Sequence, residues 1–313
     1  MSSAVVVVGS ANRDIVFTVS RIPQPGETLI AESADRYPGG KGLNQAVASA
    51  RAGVSTTFVA ALGDDDDGRV LSAVLADASI SGDLVREALL PTGQAFIVVD
   101  GSGENTIVVA SGANATLTSL TVADETAIVA ANVLLMQLEL PLSIVIDAAV
   151  LAHQNGTKVI LNAAPAQLLP PELLTNLDYL IVNEHEACLV GGSEELQVAS
   201  GKLAAQVDRV VVTLGSRGCI LFENGVEFAR ADAHRVTAVD TTGAGDTWCG
   251  AFAAALAEGQ PFTHAAGFAS AAAALSVQAL GAVPSVPHRD AIDAQLESVG
   301  ALPVDILSDG TRK

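Results

Sequence analysis

The chain has 313 residues, of which half are hydrophobic and 16% are charged, so it has enough apolar material for one large α/β domain with a small appendage or for two modest domains. Its 16 basic and 35 acidic residues give a formal net charge of −19, which repels nucleic acid and anionic membrane surfaces and excludes both as expected partners. Because there is no apolar run of bilayer length, no signal-peptide pattern and no closely spaced cysteine set, we expect cytoplasmic residence.

Continuous apolar runs rich in β-branched residues or leucine recur along the chain and predict buried strands. They cover residues 5–9, 133–138, 158–162, 179–183 and 209–215. Segments with a helical period lie between them, such as 41–53, where Leu43, Ala46 and Val47 fall on one face. The alternation of strand and helix predicts a doubly wound α/β fold, with a mainly parallel sheet flanked by helices.

Two regions break this alternation and have strand patterns without helices. Residues 14–37 contain strand-like runs around a Pro/Gly turn, and residues 95–111 have the pattern of a hairpin across 100–105. We predict a small antiparallel sheet, built from about 14–37 and 92–111, beside the main sheet. A sheet of few strands is marginal alone, so we expect it to pack over a cleft, against another subunit, or both.

The stretch DTTGAGD (240–246) leads from a polar turn into a strong helix pattern. Gly243, Ala244 and Gly245 let a phosphate group approach their backbone N–H groups, and the helix N-terminus adds partial positive charge. Asp246, in the first helical turn, could accept a proton from an attacking alcohol. The same residues could equally cap the helix, and the spacing alone does not decide between the two functions.

Two segments resemble the signatures of a known family. VDTTGAGDTWCGAF (239–252) resembles the C-terminal signature of the PfkB, or ribokinase-like, carbohydrate kinases, and PGGKGLNQAVASARAG (38–53) resembles their N-terminal signature. The similarity runs nearly end to end, through segments such as IVNEHEA (181–187) and VVVTLGSRG (210–218). The resemblance implies a single ribokinase-like domain over residues 1–313, in which the small sheet is a lid, and ATP-dependent phosphorylation of an alcohol group.

The resemblance implies a base, an anion hole and a sugar site. The base is Asp246, with the anion hole at Gly243, Ala244 and Gly245. The sugar site comprises Asn12, Arg13, Asp14, Gly39, Gly40, Lys41, Gly42, Asn44, Glu139 and Asp246. Short amide and carboxylate side chains suit a polyol, because they pair with hydroxyl groups as donors and acceptors. Without the resemblance, Asn12 and Asp14 would be assigned to a turn and Lys41 to a solvated surface. Arg13 stands where a small residue is common, so it could alter access to the sugar.

The resemblance also implies a nucleotide site. Its members are Asn183, Glu186, Thr213, Leu214, Gly215, Ser216, Arg217, Gly218, Gly245, Asp246 and Ser270. Asn183 and Glu186 would organise Mg²⁺, with Glu186 acting mainly through water, although the same pair could be the N-cap and capping-box partner of a helix. The loop at 213–218 could also be an ordinary β-turn between strands. Ser270 stands where the family often has a histidine against the adenine.

A monovalent cation, usually K⁺, activates members of this family beside the anion hole. The matching positions here are Asp240, Thr242, Ser276, Ala279, Gly281 and Ser285. Several of them act through backbone carbonyl groups in the family, so their side chains carry little information. Asp240 is the one charged member, and without the resemblance it would be assigned to a turn or a helix entry.

Within the family, the sequence is most similar to the kinases of D-ribose. This implies transfer of the γ-phosphoryl group of ATP to O5 of D-ribose, giving D-ribose 5-phosphate and ADP. A same-family kinase for fructose, another ketose, deoxyribose or a nucleoside remains an alternative, and so does a non-catalytic sugar-binding regulator, against which the intact 243–246 stretch argues. The resemblance further implies Mg²⁺ and K⁺ as cofactors and a homodimer formed through the lid.

Overall fold

The computed structural model describes residues 4–101, 103–299 and 304–306, and the strands within those ranges form two sheets. The larger sheet has ten strands, in the spatial order β14 (Val304–Ile306), β13 (Val226–Ala231), β12 (Cys219–Glu223), β11 (Arg209–Thr213), β10 (Tyr179–Asn183), β9 (Lys158–Asn162), β8 (Val133–Met136), β1 (Val5–Val8), β4 (Thr56–Gly63) and β5 (Val85–Ala88). The strands from β11 to β5 run parallel, whereas β12, β13 and β14 pair antiparallel at one edge. The prediction of a mainly parallel sheet is confirmed, and its five apolar runs are β1, β8, β9, β10 and β11.

Helices connect the strands and cover both faces of the large sheet. They are α1 (Lys41–Arg51), α2 (Asp66–Asp77), α3 (Val122–Ala130), α4 (Leu142–Gln154), α5 (Pro171–Leu174), α6 (Glu184–Gly191), α7 (Leu196–Ala204), α8 (Ala244–Ala257), α9 (Phe262–Ser276), α10 (Ala282–Ser285) and α11 (Arg289–Val299). In β1, Val5 and Val7 belong to the apolar cluster that includes residues of α1, α8 and α9, whereas Val6 and Val8 belong to the cluster that includes residues of α3, α4 and α7. Because both faces are buried, the central strands are apolar throughout and show no alternation.

The strand order reverses at β1, which has β4 on one side and β8 on the other. The loops that leave the carboxyl ends of two neighbouring parallel strands diverge at such a reversal and open a crevice, which is where doubly wound sheets bind ligands. Asn12 lies four residues after Val8 of β1, and Glu139 lies three residues after Met136 of β8. The fold therefore brings two of the predicted sugar residues to the switch point.

The smaller sheet, which we call the lid, has four strands in the order β3 (Ser33–Gly39), β2 (Asn12–Val19), β6 (Gly93–Asp100) and β7 (Asn105–Ala110). The predicted hairpin across 100–105 is β6–β7, and the pairs β2–β3 and β6–β7 are antiparallel as expected. The central pair β2–β6 is parallel, because both strands leave the large sheet in the same direction, with Asn12 opposite Gly93. A parallel pair needs a long crossover, which here is the whole segment from β3 to β5.

None of the helices in the described part of the chain has the length and apolar character that a bilayer crossing requires.

Candidate active site

Asp246 lies in the first turn of α8, as the sequence predicted, and its side chain is 8% exposed. Gly243 is the N-cap of this helix at φ +74°, and a Cβ atom there would overlap Ala282, so only glycine fits. The Ala244 N–H donates to the Thr241 carbonyl at 3.2 Å. The N–H groups of Gly245 and Asp246 have no hydrogen-bond partner within the described residues and remain available to an anion.

Two side chains of α1 donate hydrogen bonds to the Asp246 carboxylate. Asn44 Nδ2 donates to Oδ2 and Gln45 Nε2 donates to Oδ1, both at 2.9 Å. The Asn44 Oδ1 atom is buried and has no hydrogen-bond partner among the described residues. An unpaired buried acceptor is costly, so Asn44 suits a ligand that presents a hydroxyl group to it.

Glu139 is the second hydrogen-bonded carboxylate of the crevice. Its Oε2 atom accepts from Ser10 Oγ at 2.6 Å, from the Lys41 backbone N–H at 3.1 Å and from Asn12 Nδ2 at 3.4 Å. Asn12 is further held by Asn114, whose Nδ2 atom donates to Asn12 Oδ1 at 2.8 Å. Asn114 lies in the 3₁₀ turn Gly112–Thr116 that follows the lid, and the sequence analysis did not find it.

Asp14, on the first lid strand, faces the two carboxylates of Glu139 and Asp246. The pKa of Asp14 is raised to about 7, mainly by burial and in addition by the charges of Glu139 and Asp246, against the opposing effect of Lys41. Burial by itself lowers the pKa of Lys41, but the negative charges of Asp246 and Glu139 outweigh this effect. The net shift of the Lys41 pKa is therefore upward, and the ammonium group stays charged. One cation thus lies among three carboxyl groups, an arrangement suited to binding paired hydroxyl groups.

The remaining predicted sugar residues border this group, with one exception. Gly39 lies so close to the Asp14 carboxylate that a Cβ atom would overlap it, and Gly40 and Gly42 approach the backbone after β1 equally closely. Arg13 points to the other face of the lid from Asp14, where its Nε atom lies 3.6 Å from Asp67 Oδ1 of α2.

A cavity of about 820 Å³ opens beside the N-terminus of α8. Predicted nucleotide residues that line it are Asn183, Thr213, Leu214, Gly215, Ser216, Gly218, Gly245 and Ser270. The loop between β11 and β12 contains the 3₁₀ turn Gly215–Arg217, closed by the Leu214 N–H to Gly218 carbonyl bond at 2.7 Å. Arg217 instead forms an ion pair with Glu184. A cavity of this size is large enough for a nucleotide.

Two aromatic residues that the sequence analysis missed also line this cavity. Trp248 donates from Nε1 to Ser270 Oγ at 3.2 Å, and its ring stacks on Phe252. His234 is buried, burial lowers its pKa, and neither ring nitrogen has a partner in the described part of the chain. Trp248 could have been identified from its position two residues after Asp246. His234 lies in an irregular segment, and no sequence pattern marks it.

Asn183 and Glu186 form a capping box at the start of α6. Asn183 Oδ1 accepts from the Glu186 N–H, and Glu186 Oε2 accepts from the Asn183 N–H, both at 2.8 Å. Burial raises the pKa of Glu186, although these hydrogen bonds and Lys41 act in the opposite direction. The capping function is confirmed, and the carboxylate oxygen that the box leaves free is an appropriate donor for a hydrated Mg²⁺ ion.

Of the positions predicted for a monovalent cation, Asp240 and Thr242 lie in the loop before α8, Ala279 and Gly281 lie in the loop between α9 and α10, and two serines end those helices. Asp240 accepts from the Thr242 N–H at 2.9 Å and from the Gly281 N–H at 2.8 Å. Burial by itself raises the pKa of Asp240, but these hydrogen bonds outweigh it and lower the pKa. Ser276 and Ser285 end α9 and α10, and their hydroxyl groups donate to carbonyl groups of their own helices. Among the described residues, no group of three histidine, cysteine or acidic side chains could hold a metal by itself.

The protein resembles known proteins over almost its whole length. The family model of the pfkB family carbohydrate kinases matches residues 2–289. The ribokinase of Haemophilus influenzae is 41% identical over 92% of this chain and 97% of its own length, and that of Staphylococcus aureus is 39% identical over the same shares. The structure of Arabidopsis thaliana ribokinase complexed with ribose and ATP has a TM-score of 0.88 and 36% identity, over 95% of this chain and 99% of that one. The chain therefore belongs to the pfkB family of carbohydrate kinases.

Proposed function

We propose that the protein has ribokinase activity and transfers the γ-phosphoryl group of ATP to O5 of D-ribose. The observation that carries the proposal is the position of Asp246 between two compartments. On one side lie the polar side chains of Asn12, Asp14 and Asn44, and on the other lies the nucleotide-sized cavity, which the neighbouring residue Gly245 lines. The relatives support the substrate pair, since the Arabidopsis thaliana enzyme was solved with ribose and ATP.

In the proposed reaction, Asp246 accepts the proton of the attacking hydroxyl group. Its carboxylate is held by Asn44 and Gln45, so it is oriented before the substrate arrives. The N–H groups of Gly245 and Asp246, at the positive end of α8, donate to oxygens of the phosphoryl group as their charge grows. Gly243 contributes the left-handed backbone conformation from which α8 begins beside the cavity.

The cations have matching donors in this chain. Glu186 would hold Mg²⁺ through water, and the ion, when bound, would offset negative charge on the phosphate oxygens. Asp240 fixes the loop of Thr242 against the loop of Gly281, and backbone carbonyl oxygens of these loops would be hard donors that suit K⁺. Both loops flank the N-terminus of α8 and thereby support the anion hole.

We further propose that the chain acts as one kinase domain in the cytoplasm, whose lid closes over the sugar. Closure would exclude water from the phosphoryl group and limit ATP hydrolysis. The lid contributes Asp14 and Asn12 to the crevice while its outer strand is exposed, so we also propose that two lids pair to form a homodimer.

A substrate panel tests the assignment. Purified protein with saturating Mg-ATP and K⁺ is given D-ribose, 2-deoxyribose, D-fructose, another ketose or a nucleoside, and kcat/KM is measured for each. We expect D-ribose to give the highest value, with ADP and D-ribose 5-phosphate as products. A higher kcat/KM for any other member of the panel would reassign the substrate within the family.

The variant Asp246→Asn separates a kinase from a sugar-binding regulator. It preserves the shape of the side chain and removes its basicity, so we expect turnover to fall on the order of 10²- to 10⁴-fold while ribose still binds by calorimetry. Turnover equal to that of the unsubstituted protein would refute the assignment of Asp246 as the base.

A further inference from the structure

On its buried side, Asp246 accepts a hydrogen bond from a chain of buried side-chain amide groups. The chain consists of Gln137, Gln45 and Asn162, and it ends on the backbone of Ile181 in β10. Gln45 and Gln137 are both 0% exposed, so neither can touch a substrate. The segments that supply these groups are far apart in sequence, in α1, just after β8, at the end of β9 and in β10.

The hydrogen bonds fix the orientation of every amide in this chain. The Ile181 carbonyl can only accept, so Asn162 must present its Nδ2 group there and its Oδ1 atom to Gln45. Gln45 must then present its Nε2 group to Asn162, at 3.0 Å, and its second Nε2 proton goes to Asp246 Oδ1 at 2.9 Å. The Gln45 Oε1 atom accepts from Gln137 Nε2 at 2.6 Å, so all hydrogen-bonding groups of this amide are engaged.

We propose that Gln45 is a positioning residue for the phosphoryl transfer, which holds Asp246 Oδ1 and leaves Oδ2 to take the proton of the substrate. This inference rests on the proposed role of Asp246 as the base. The two oxygens differ in their surroundings, since Oδ1 faces the buried amide chain and Oδ2 faces Asn44 at the wall of the crevice. The hydrogen bond from Gln45 Nε2 to Oδ1 is a bond to an acidic side chain, a class that is stronger than a bond between neutral groups.

Other charged or titratable groups also act on Asp246 or face the same crevice, and a pH measurement must account for them. They are Lys41 of α1, Asp14 of β2, Glu139 after β8, Glu186 of α6 and Cys249 of α8. The substitution of Gln45 leaves all of these groups in place, so a changed pH profile would report the lost donor.

The experiment compares Gln45→Leu and Gln45→Glu with the control Ser49→Ala. Ser49 lies one turn further along α1, is fully buried and donates to the Gly250 carbonyl of α8 at 3.0 Å, so the control loses a buried α1–α8 hydrogen bond without touching Asp246. Single-turnover phosphoryl transfer, the KM for ribose and the pH profile are measured from about pH 5.5 to pH 9, with near-UV circular dichroism to check folding.

For Gln45→Leu we expect the single-turnover rate to fall about 10- to 100-fold, the effect of losing a hydrogen bond to a charged group, with KM changed by less than about 3-fold. The acidic limb of the pH profile should move to higher pH. In Gln45→Glu it should move further, because two adjacent carboxyl groups cannot both ionise and will share a proton. Ser49→Ala should keep the profile of the unsubstituted protein.

Two outcomes would overturn the inference. If both Gln45 variants melt at lower temperature but keep the pH profile of the unsubstituted protein, Gln45 serves only the packing of the core. If their single-turnover rates are unchanged, it does not position the base. Should Gln45→Leu fail to fold, the isosteric Gln45→Glu decides alone. An Asp246→Asn variant with undiminished turnover would refute the assignment of Asp246 as the base, on which this inference rests, and neither Gln45 variant tests that assignment.

Discussion

Asp14 is the carboxyl group of the crevice with the least favourable environment. Its pKa of about 7 means that the folded protein retains a proton that the unfolded chain, with a pKa near 3.8, releases. The stability that this raised pKa provides is complete below the unfolded value and is lost as the pH rises through about 7. At higher pH the ionised Asp14 lies close to Glu139 and Asp246, so repulsion within the site lowers the free energy of unfolding.

We therefore expect Asp14→Asn to weaken ribose binding by 10-fold or more, on the order of one lost charged hydrogen bond, and yet to stabilise the ligand-free protein at about pH 8. The gain in melting temperature should shrink at about pH 5, where Asp14 is already protonated. Thermal unfolding across this pH range and calorimetry with ribose measure the two effects. Asp83→Asn, at an exposed position outside the crevice, is the control and should change neither. A variant that melts lower at both pH values would contradict the interpretation.

Residues that the sequence identified and residues that it missed differ in how they reach the site. Asp246 and Asn44 each lie in a local motif, a glycine-rich turn followed by a helix, which can be recognised along the chain. Asn114 and His234 reach the site only through folding, and Asn114 meets Asn12 across 102 positions of sequence. No local pattern marks such a residue, because its environment is made by other segments.

The two helices that carry Asp246 and its hydrogen-bond partners, α8 and α1, pack at unusually close range. A Cβ atom at Gly250 of α8 would overlap the Gln45 carbonyl oxygen and the Ala48 side chain of α1. The same contact sets the distance between Asn44 on α1 and Asp246 on α8, which are joined by a 2.9 Å hydrogen bond. The geometry of Asp246 therefore depends on a glycine one turn away.

Gly250→Ala tests this dependence. Alanine favours a helix by about 1 kcal/mol over glycine, but here the added methyl group must push α1 and α8 apart, so we expect a net loss of roughly 1–3 kcal/mol in the free energy of unfolding and a lower kcat. Gly267→Ala in α9 is the matched control, since nothing lies within 4 Å of a Cβ atom there, and it should stabilise the protein. Urea unfolding measures both variants. Equal stabilisation by the two variants would show that the α1–α8 contact leaves room for a methyl group at position 250.

Strands could be predicted where their burial produces a pattern of apolar residues along the sequence. The apolar runs of β1, β8 and β9 were recognised because helices cover both faces of the sheet, which removes polar positions from these strands. The parallel pairing of β2 with β6 left no such signal, since the two strands are separated by more than 70 residues. The sequence showed that both strands exist, but not which of them would be neighbours.

At the scale of the whole molecule, the strand reversal at β1 explains why two distant segments form one site. Loops after β1 and β8 diverge at this point, and Asn12 and Glu139 meet where they do, joined by a hydrogen bond. The excess of acidic residues would repel ATP. The unpaired backbone N–H groups at the start of α8, beside the cavity, supply local positive charge that offsets this repulsion. A binding site of this kind needs few basic side chains, so composition gave no hint of a nucleotide ligand.

The lid extends this site beyond the main sheet and leaves apolar side chains exposed. Asp14, Ala95 and Val109 are cross-strand partners on one face, and Ile107 continues that face away from the crevice. Ile107 is 51% exposed and Val109 is 42% exposed. A sheet of four strands with an uncovered apolar face is expected to pair with another surface, and the proposed homodimer would cover it with a second lid.

We expect Ile107→Glu to dissociate the proposed homodimer, because a second lid would have to bury the introduced charge without a partner. Sedimentation velocity at micromolar concentration should show a dimer for the unsubstituted protein and a monomer for the variant, with a raised KM for ribose, since the lid carries Asp14. Val226→Glu is the control, at a 63% exposed strand position of the large sheet, and should remain dimeric. A monomeric unsubstituted protein, or a dimer that survives Ile107→Glu, would contradict pairing through this face.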